Sequence, residues 1–392
     1  MANVVLLCIV LKLFLQDVWV TEADLYPESD FIAVIPTCEG REEIISGSRA
    51  WRQGIRTFIA TNASRHLPSF KKDNQTVESK DGETYRCILD EKYTSGVRFH
   101  GARPGDLRSA ISPFLAHAHY SNKSETYKWM LYGDDDTVFF IPNVISFLGR
   151  LNHMVPYALT DNLWYRRRGS NSPYHPHPDA PRCYPCALPE HSSGQPNQGS
   201  IPAEAVSNSD PYSILGYTPP TVCEACTVDV ACKAYREANM DCDAPRAHGG
   251  AGIIFSKALL DFVDLNEFQR CLERVWGASG SDTLISLCLW EAGYAFTDPG
   301  VWIQGPGHPH EGRPHPHYII FDNRRQSTAL RADHFQMMKS KTCSGSCAYD
   351  KWLLKSMVSM HVAARAHPTS AAAGHALNKT LSSYYRAMQL AS

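Results

Sequence analysis

The chain has no excess of charge of either sign and no long basic run. Its 38 Lys and Arg residues nearly balance 40 Asp and Glu residues, which gives a formal net charge of −2 at pH 7. Nucleic-acid-binding proteins usually carry a concentrated positive patch, so we expect no nucleic-acid partner. Hydrophobic residues make up 43% of the chain, which is ordinary for a folded globular protein.

The N-terminal region also lacks an uninterrupted apolar run of membrane-spanning length. Residues 4–11 are apolar, but Lys12 and Asp17 interrupt the stretch that follows, and no Lys or Arg precedes it. A membrane helix needs about 20 apolar residues, whereas a secretory signal needs a shorter run. We therefore predict a cleaved signal peptide over residues 1–23. A signal anchor, which would tether the protein to a membrane, is the alternative, followed by a buried N-terminal helix.

Cysteine is plentiful. The chain has 13 cysteines, and Cys8 lies in the predicted leader, which leaves an even number, 12, for the rest. Such a number is typical of disulfides formed in an oxidising compartment. Four Asn-x-Ser/Thr acceptor sites for N-glycosylation point the same way. They begin at Asn62, Asn74, Asn122 and Asn378. We expect the secretory pathway, in the Golgi or ER lumen, with secretion as a further outcome.

Residues 163–245 differ in composition from the rest and predict an insertion. Pro, Ser, Asn, Gly and Cys dominate, and two Cys-x-x-Cys pairs occur in it, at Cys183 and Cys186 and at Cys223 and Cys226. Two such pairs can form a zinc ribbon. The pairs lie further apart in sequence than is usual for a ribbon, and the predicted compartment is oxidising, so disulfides are favoured over zinc.

The first part of the chain predicts a parallel sheet. The sequence predicts a buried strand over residues 30–38, a helix over residues 41–53 and a second strand over residues 56–61, which together imply a right-handed crossover. Polar residues 64–101 predict a surface loop. In open parallel sheets ligands bind beyond the carboxyl ends of the strands. Thr37 and the acidic residues 134–136, which follow a later predicted strand, are therefore expected on one edge if both strands belong to the same sheet.

The stretch at residues 127–142 is the strongest indication of function. An apolar run that predicts a strand ends at Gly133 and is followed by Asp134, Asp135 and Asp136, and then by more apolar residues. Three adjacent carboxylates repel one another, and a divalent cation with oxygen ligands would offset that repulsion. Such an ion can hold a diphosphate, so the stretch predicts a metal-assisted nucleotide-sugar site. A solvated acidic turn is the alternative.

Two later stretches add candidate residues. Gly249, Gly250 and Gly252 allow the backbone to approach a ligand or another strand closely, or simply form a tight turn. Asp282 begins a strongly apolar helix. It is either a carboxylate favoured by the helix dipole or a general base at the mouth of the site. His315 and His317 lie two residues apart in an extended segment, so they share a face and one of them could bind a metal.

Taken in order, these stretches resemble the fringe-like branch of glycosyltransferase family 31, the fringe-related β-1,3-glycosyltransferases. The matching pieces are Ser48-Arg-Ala-Trp51, Arg56-Thr-Phe-Ile-Ala-Thr61, Tyr132-Gly-Asp-Asp-Asp-Thr137, His248-Gly-Gly-Ala-Gly252, Gly280-Ser-Asp282 and the segment with His315 and His317. The resemblance implies an α/β fold of the GT-A type, with a Rossmann-like mixed sheet and flanking helices. The catalytic domain would span residues 24–362, including the Cys/Pro-rich insertion at 163–245, and residues 363–392 would be a C-terminal tail.

The resemblance also implies a role for each candidate residue. Asp136 and His317 would bind Mn²⁺, with His315 as the alternative ligand, and Asp282 would be the catalytic base. The residues that would contact the UDP-sugar donor are Thr37, Arg49, Asp134, Asp135, Gly249, Gly250 and Gly252. The implied enzyme is an inverting hexosyltransferase that moves GlcNAc or Gal to a hydroxyl of a glycan or glycoprotein acceptor. A catalytically inactive sugar-binding module and a metal-dependent hydrolase are the alternatives.

Overall fold

The computed structural model describes a mixed α/β protein. The described residues are 26–62, 76–79, 82–88, 104–149, 151, 153–154, 156–160, 163–166, 173–174, 246–247, 249–274, 280–292, 296, 320–322, 354–355 and 357–391. The predicted leader, most of the Cys/Pro-rich insertion, His315 and His317 lie outside these ranges. No helix within them is both long and apolar enough to cross a membrane.

A seven-stranded mixed sheet forms the centre of the described structure. Its strands are β1 (Phe31–Pro36), β2 (Arg56–Thr61), β3 (Thr76–Glu78), β4 (Glu83–Cys87), β5 (Trp129–Tyr132), β7 (Ala158–Leu159) and β11 (Ile253–Ser256). They lie in the order β3-β4-β2-β1-β5-β11-β7. Strands β4, β2, β1 and β5 are parallel, whereas β11 runs antiparallel to β5 and to β7. The predicted strand pair at the start of the chain and its parallel pairing are confirmed.

Two smaller sheets, each of three strands, accompany the central one. The first contains β12 (Ile320–Asp322), β13 (Met357–His361) and β6 (Thr137–Phe139), and the second contains β10 (Arg246–Ala247), β8 (Leu163–Arg166) and β9 (Pro173–Tyr174). Strand β13 runs antiparallel to β6, and His361 is the cross-strand partner of Thr137. This pairing brings a segment near the C-terminus beside the acidic stretch.

Helices cover both faces of the central sheet. Those assigned within the described residues are α1 (Glu42–Ser48), α2 (Pro104–Asn122), α3 (Ile141–Leu148), α4 (Lys257–Phe262), α5 (Leu265–Arg274), α6 (Ser281–Glu291) and α7 (Ser370–Ala391). Ser256 caps α4, since its Oγ accepts a hydrogen bond from the backbone N–H of Leu259 at 3.2 Å. A disulfide joins Cys271 of α5 to Cys288 of α6.

Alternate residues of β1 pack into two separate apolar cores. Phe31, Ala33 and Ile35 face a core shared with α1, α3 and α7, whereas Ile32 and Val34 face a core shared with α2, α4, α5 and α6. All five side chains are buried. A strand covered on both faces in this way reads as a continuous apolar run, because each face contacts helices rather than water.

Helix α7 belongs to the folded core. Residues 363–392 were expected to form a tail, yet α7 contributes Leu377, Leu381 and Tyr384 to the core beneath β1. Its backbone lies directly against α1, where a Cβ added to Gly47 would lie 2.5 Å from the carbonyl oxygen of Gly374. The small residues that made this segment resemble a tail permit that close helix contact.

The prediction of a loop across residues 64–101 was wrong for part of that range. Strand β4 pairs in parallel with β2, and β3 pairs with β4. Strand β4 was not predicted because many of its residues are polar. Glu83 is buried in this strand, where two guanidinium groups contact its carboxylate. Arg49 donates to Glu83 in a bidentate pair, and the side chain of Arg52 forms an ion pair with the same carboxylate.

Candidate functional site

A cavity of about 680 Å³ opens where β1, β2 and β5 end. Thr37 follows β1, Asn62 follows β2 and Asp134 lies two residues after β5, and all three line the cavity. This is the location that the parallel sheet predicts, because the carboxyl ends of its strands share one edge. The predicted placement of Thr37 and the acidic stretch on one edge is therefore confirmed.

Asp135 forms hydrogen bonds with two other residues that line the cavity. Its Oδ2 accepts a hydrogen bond from the hydroxyl of Thr37 at 2.6 Å and another from Nε of Arg41 at 2.7 Å. A second nitrogen of Arg41 contacts Oδ1 of Asp135. Burial raises the pKa of Asp135 although the Arg41 guanidinium opposes that rise. Asp135 is thus bonded to two other residues that line the cavity, and its predicted contact with the donor stays a prediction. Sequence reasoning did not single out Arg41.

Of the three adjacent carboxylates, Asp136 has the contacts that best favour its charged form. Its Oδ2 accepts a hydrogen bond from the backbone N–H of Ala364 at 2.7 Å, and its Oδ1 lies 3.4 Å from Nε2 of His361. Burial alone would raise the pKa of Asp136, but the contacts with His361, the Ala364 N–H and Arg41 lower it below its usual value. The lowered pKa therefore favours the ionised form of Asp136, which is the form that binds cations.

Asp136 and His361 could share one metal ion. Two ligands bound to an octahedral ion at about 2.1 Å are separated by about 3 Å, which is close to the observed oxygen–nitrogen distance of 3.4 Å. Among the described residues no cluster of three or more His, Cys, Asp or Glu side chains is arranged to hold a metal. Two protein ligands would leave positions for diphosphate oxygens, which is common for ions that bind nucleotides.

His361 was not singled out by the sequence, although a signal for it was present. It ends β13, a short apolar strand of the kind that also precedes Thr37 and Asp134. The predicted metal ligands His317 and His315 lie outside the described residues, so their role stays a prediction. In the part of the chain that is described, the imidazole beside Asp136 belongs to His361.

Asp282 also lines the cavity, from the first turn of α6. Its Oδ2 accepts a hydrogen bond from the backbone N–H of Gly249 at 3.1 Å, and its Oδ1 accepts one from the N–H of Thr283 at 2.8 Å. Burial raises the pKa of Asp282 despite these donors. A carboxylate with raised basicity at the wall of a cavity can accept a proton from a bound hydroxyl.

The glycine run contacts both Asp282 and His361. A Cβ on Gly249 would lie 3.3 Å from Cβ of Asp282 and 3.6 Å from Oδ2 of Asp134, and one on Gly250 would lie 2.5 Å from Nδ1 of His361. Gly252 has a φ of +86°, a conformation that glycine adopts without strain. The run thus packs against the predicted base at Gly249 and against the His361 imidazole at Gly250.

Asp134 is near enough to both Asp136 and Asp282 for their charges to act on it. It lines the cavity, and burial together with the neighbouring carboxylates Asp136, Asp135 and Asp282 raises its pKa. A bound cation would relieve this repulsion, which is the physical reason for expecting one.

Arg49 occupies a smaller adjoining cavity of about 220 Å³, which Thr37 also lines. Its guanidinium is paired with Glu83, so the structure shows a structural contact for this residue beside the main cavity. Its predicted contact with the nucleotide stays a prediction.

Comparison with known proteins adds no identification, since no family model and no curated protein matches the chain. The functional interpretation therefore depends on the residues of the cavity.

Proposed function

We propose that the chain is an inverting, Mn²⁺-dependent glycosyltransferase of the GT-A type, related to the fringe-like branch of family 31. The donor would be UDP-GlcNAc or UDP-Gal, and the acceptor a hydroxyl of a glycan or glycoprotein in the lumen of the secretory pathway. The mixed sheet with helices on both faces is compatible with that fold, and the order of the sequence motifs supports it.

One observation carries the proposal. A potential metal pair, Asp136 and His361, and a separate carboxylate with a raised pKa, Asp282, line the same cavity. An inverting transfer needs this division, with a cation at the leaving group and a base at the attacking hydroxyl. A retaining double displacement would instead need a nucleophile at the anomeric carbon.

The residues would act as follows. Asp282, deprotonated and held by the N–H groups of Gly249 and Thr283, accepts the proton of the acceptor hydroxyl. The acceptor oxygen forms a bond to the anomeric carbon while the bond from that carbon to the diphosphate oxygen breaks. Because the bond forms opposite the one that breaks, the configuration inverts. When bound by Asp136 and His361, Mn²⁺ would offset the charge of the leaving diphosphate.

A panel of UDP-sugars assayed with and without Mn²⁺ tests the proposal. Each sugar is incubated with the full chain in the presence or absence of p-nitrophenyl glycoside acceptors, and UDP and free sugar are measured separately. A transferase releases UDP in a manner that depends on Mn²⁺ and on the acceptor. A hydrolase releases free sugar at the same rate without acceptor, and a sugar-binding module binds the donor without releasing UDP.

A further inference from the structure

Residues 361–366 surround Asp136. The backbone N–H of Val362 donates to the carbonyl oxygen of Asp136 at 2.9 Å, and that of Ala364 donates to its carboxylate at 2.7 Å. The His361 imidazole lies 3.4 Å from the other carboxylate oxygen. The segment is therefore fixed to the carboxylate that is the first candidate for the metal.

The following turn is held at both ends. Ala363 adopts a left-handed conformation with φ +57°, and a 3-10 turn at Ala364–Ala366 follows, closed by a hydrogen bond from the N–H of Ala366 to the oxygen of Ala363 at 2.8 Å. Beyond it, the hydroxyl of Ser370, the first residue of α7, donates to the carbonyl oxygen of Gly40 at 2.5 Å. Side chains on this turn are thus presented to the cavity from a fixed backbone.

Arg365 is the cationic side chain of that turn. It is exposed, and it lines the cavity next to the residue whose N–H binds Asp136. No other described residue forms a hydrogen bond or ion pair with its side chain, whereas Arg41 in the same cavity is committed to Asp135. The Arg365 guanidinium is therefore available to an anion that enters from solvent.

The charge of the cavity explains why a bound diphosphate would need a cationic partner there. The carboxylates lining it are Asp106, Asp134, Asp135, Asp136 and Asp282. A diphosphate that approaches them is repelled, and the relief given by one divalent ion is partial, because Asp134 and Asp282 remain nearby. A guanidinium matches phosphate oxygens with two parallel N–H donors. Arg365 directly follows Ala364, whose N–H donates to Asp136, so it lies near the carboxylate where a metal would bring the diphosphate.

We propose that Arg365 binds the diphosphate of the nucleotide donor and determines the preference of the site for a nucleoside diphosphate. This inference rests on the proposed function, because it assumes a nucleotide donor in this cavity. Arg365 is a binding and specificity residue in this view, and it takes no part in proton transfer.

The test compares UDP, UMP and uridine as probes. Their affinities for the full chain are measured by calorimetry with Mn²⁺ present, for the unaltered protein and for Arg365→Gln, Arg365→Lys and Arg386→Gln. Arg386 is an exposed arginine of α7 that does not line the cavity, so its replacement is the matched control. We expect Arg365→Gln to weaken UDP binding by about 10- to 100-fold, the scale of a lost hydrogen bond to a charged group, and to leave uridine binding unchanged. Arg365→Lys should recover part of the loss.

Three outcomes would overturn the inference. Unchanged UDP affinity in Arg365→Gln, while the unaltered chain binds UDP with Mn²⁺, would reject the role of Arg365 and keep the proposed function. Equal losses for UDP and uridine would show that Arg365 shapes the cavity instead of binding phosphate. Absence of Mn²⁺-dependent UDP binding by the unaltered chain would reject the proposed function and this inference together.

Discussion

Adding one methyl group at Gly250 should disable the metal pair while the rest of the cavity stays intact. In Gly250→Ala the new Cβ would lie 2.5 Å from Nδ1, 2.6 Å from Cε1 and 2.7 Å from Cγ of His361. Non-bonded carbon atoms normally rest about 3.5 Å apart, so the imidazole must recede by about 1 Å. Metal ligands are usually placed to within about 0.2 Å, and the displacement exceeds that tolerance several-fold.

We therefore expect Gly250→Ala to weaken Mn²⁺ binding by about 10- to 100-fold, the usual cost of removing the support of a metal ligand. Gly249→Ala is the matched control, because its Cβ would lie 3.3 Å from Cβ of Asp282 and would press on the base. That variant should keep its Mn²⁺ affinity and lose turnover, by less than the about 100-fold that a 1 Å misplacement costs.

Free Mn²⁺ can be followed by electron paramagnetic resonance while each variant is titrated in the presence of UDP. Urea unfolding of the same samples shows whether either variant has lost its fold. Mn²⁺ affinity in Gly250→Ala equal to that of the unaltered chain would refute the assignment of the imidazole as a ligand. Equal losses in the two glycine variants would show that the turn acts as a whole and that its contacts with Asp282 and His361 do not have separate effects.

Three further predictions follow from the carboxylates. Asp282→Asn should bind Mn²⁺ and UDP normally while turnover falls by about 100- to 10,000-fold, and full turnover would remove Asp282 as the base. Burial raises the pKa of Asp282, so protonation of this base should lower kcat/KM at a pH above the ordinary aspartate pKa of about 4. A fall in kcat/KM that begins only at or below that pKa would contradict the assignment. Glu83→Gln should lower the free energy of unfolding by about 3–5 kcal/mol in urea, because Arg52 would stay buried without its anion, and a change below about 1 kcal/mol would refute that. Burial alone would raise the pKa of Glu83, but its arginine and tyrosine partners lower it to about 2. The ionised Glu83 therefore stabilises the folded state fully above the ordinary glutamate pKa, and this stabilisation is lost as the pH falls towards 2.

Sequence patterns predicted the part of the fold that depends on local apolar runs. Strand β1 and strand β2 are found where their apolar residues place them. Strand β4 was missed because burial there depends on an ion pair between Glu83 and two arginines of a preceding segment. A pattern of hydrophobicity carries no information on such a long-range pairing.

The site was predictable where its residues follow strands at one sheet edge, and less so elsewhere. Thr37 and Asp135 form the hydrogen bond that a shared edge allows. Arg41 and His361 were missed because their partners lie 94 and 225 positions away along the chain, and only the tertiary fold brings them to Asp135 and Asp136. Asn62 shows a further limit, since this predicted glycosylation site lines the cavity and accepts a hydrogen bond from Glu39 N–H at 3.0 Å.

Binding of UDP in the presence and absence of Mn²⁺ is the most direct test of a metal shared by Asp136 and His361. The measurement compares the unaltered chain with Asp136→Ala, His361→Ala and His375→Ala, the last being an exposed histidine of α7 outside the cavity. We predict that Mn²⁺ strengthens UDP binding to the unaltered chain and to His375→Ala, and that this effect disappears in the other two variants. The same Mn²⁺-dependent gain in either Asp136→Ala or His361→Ala would show that the ion, if bound, is held elsewhere.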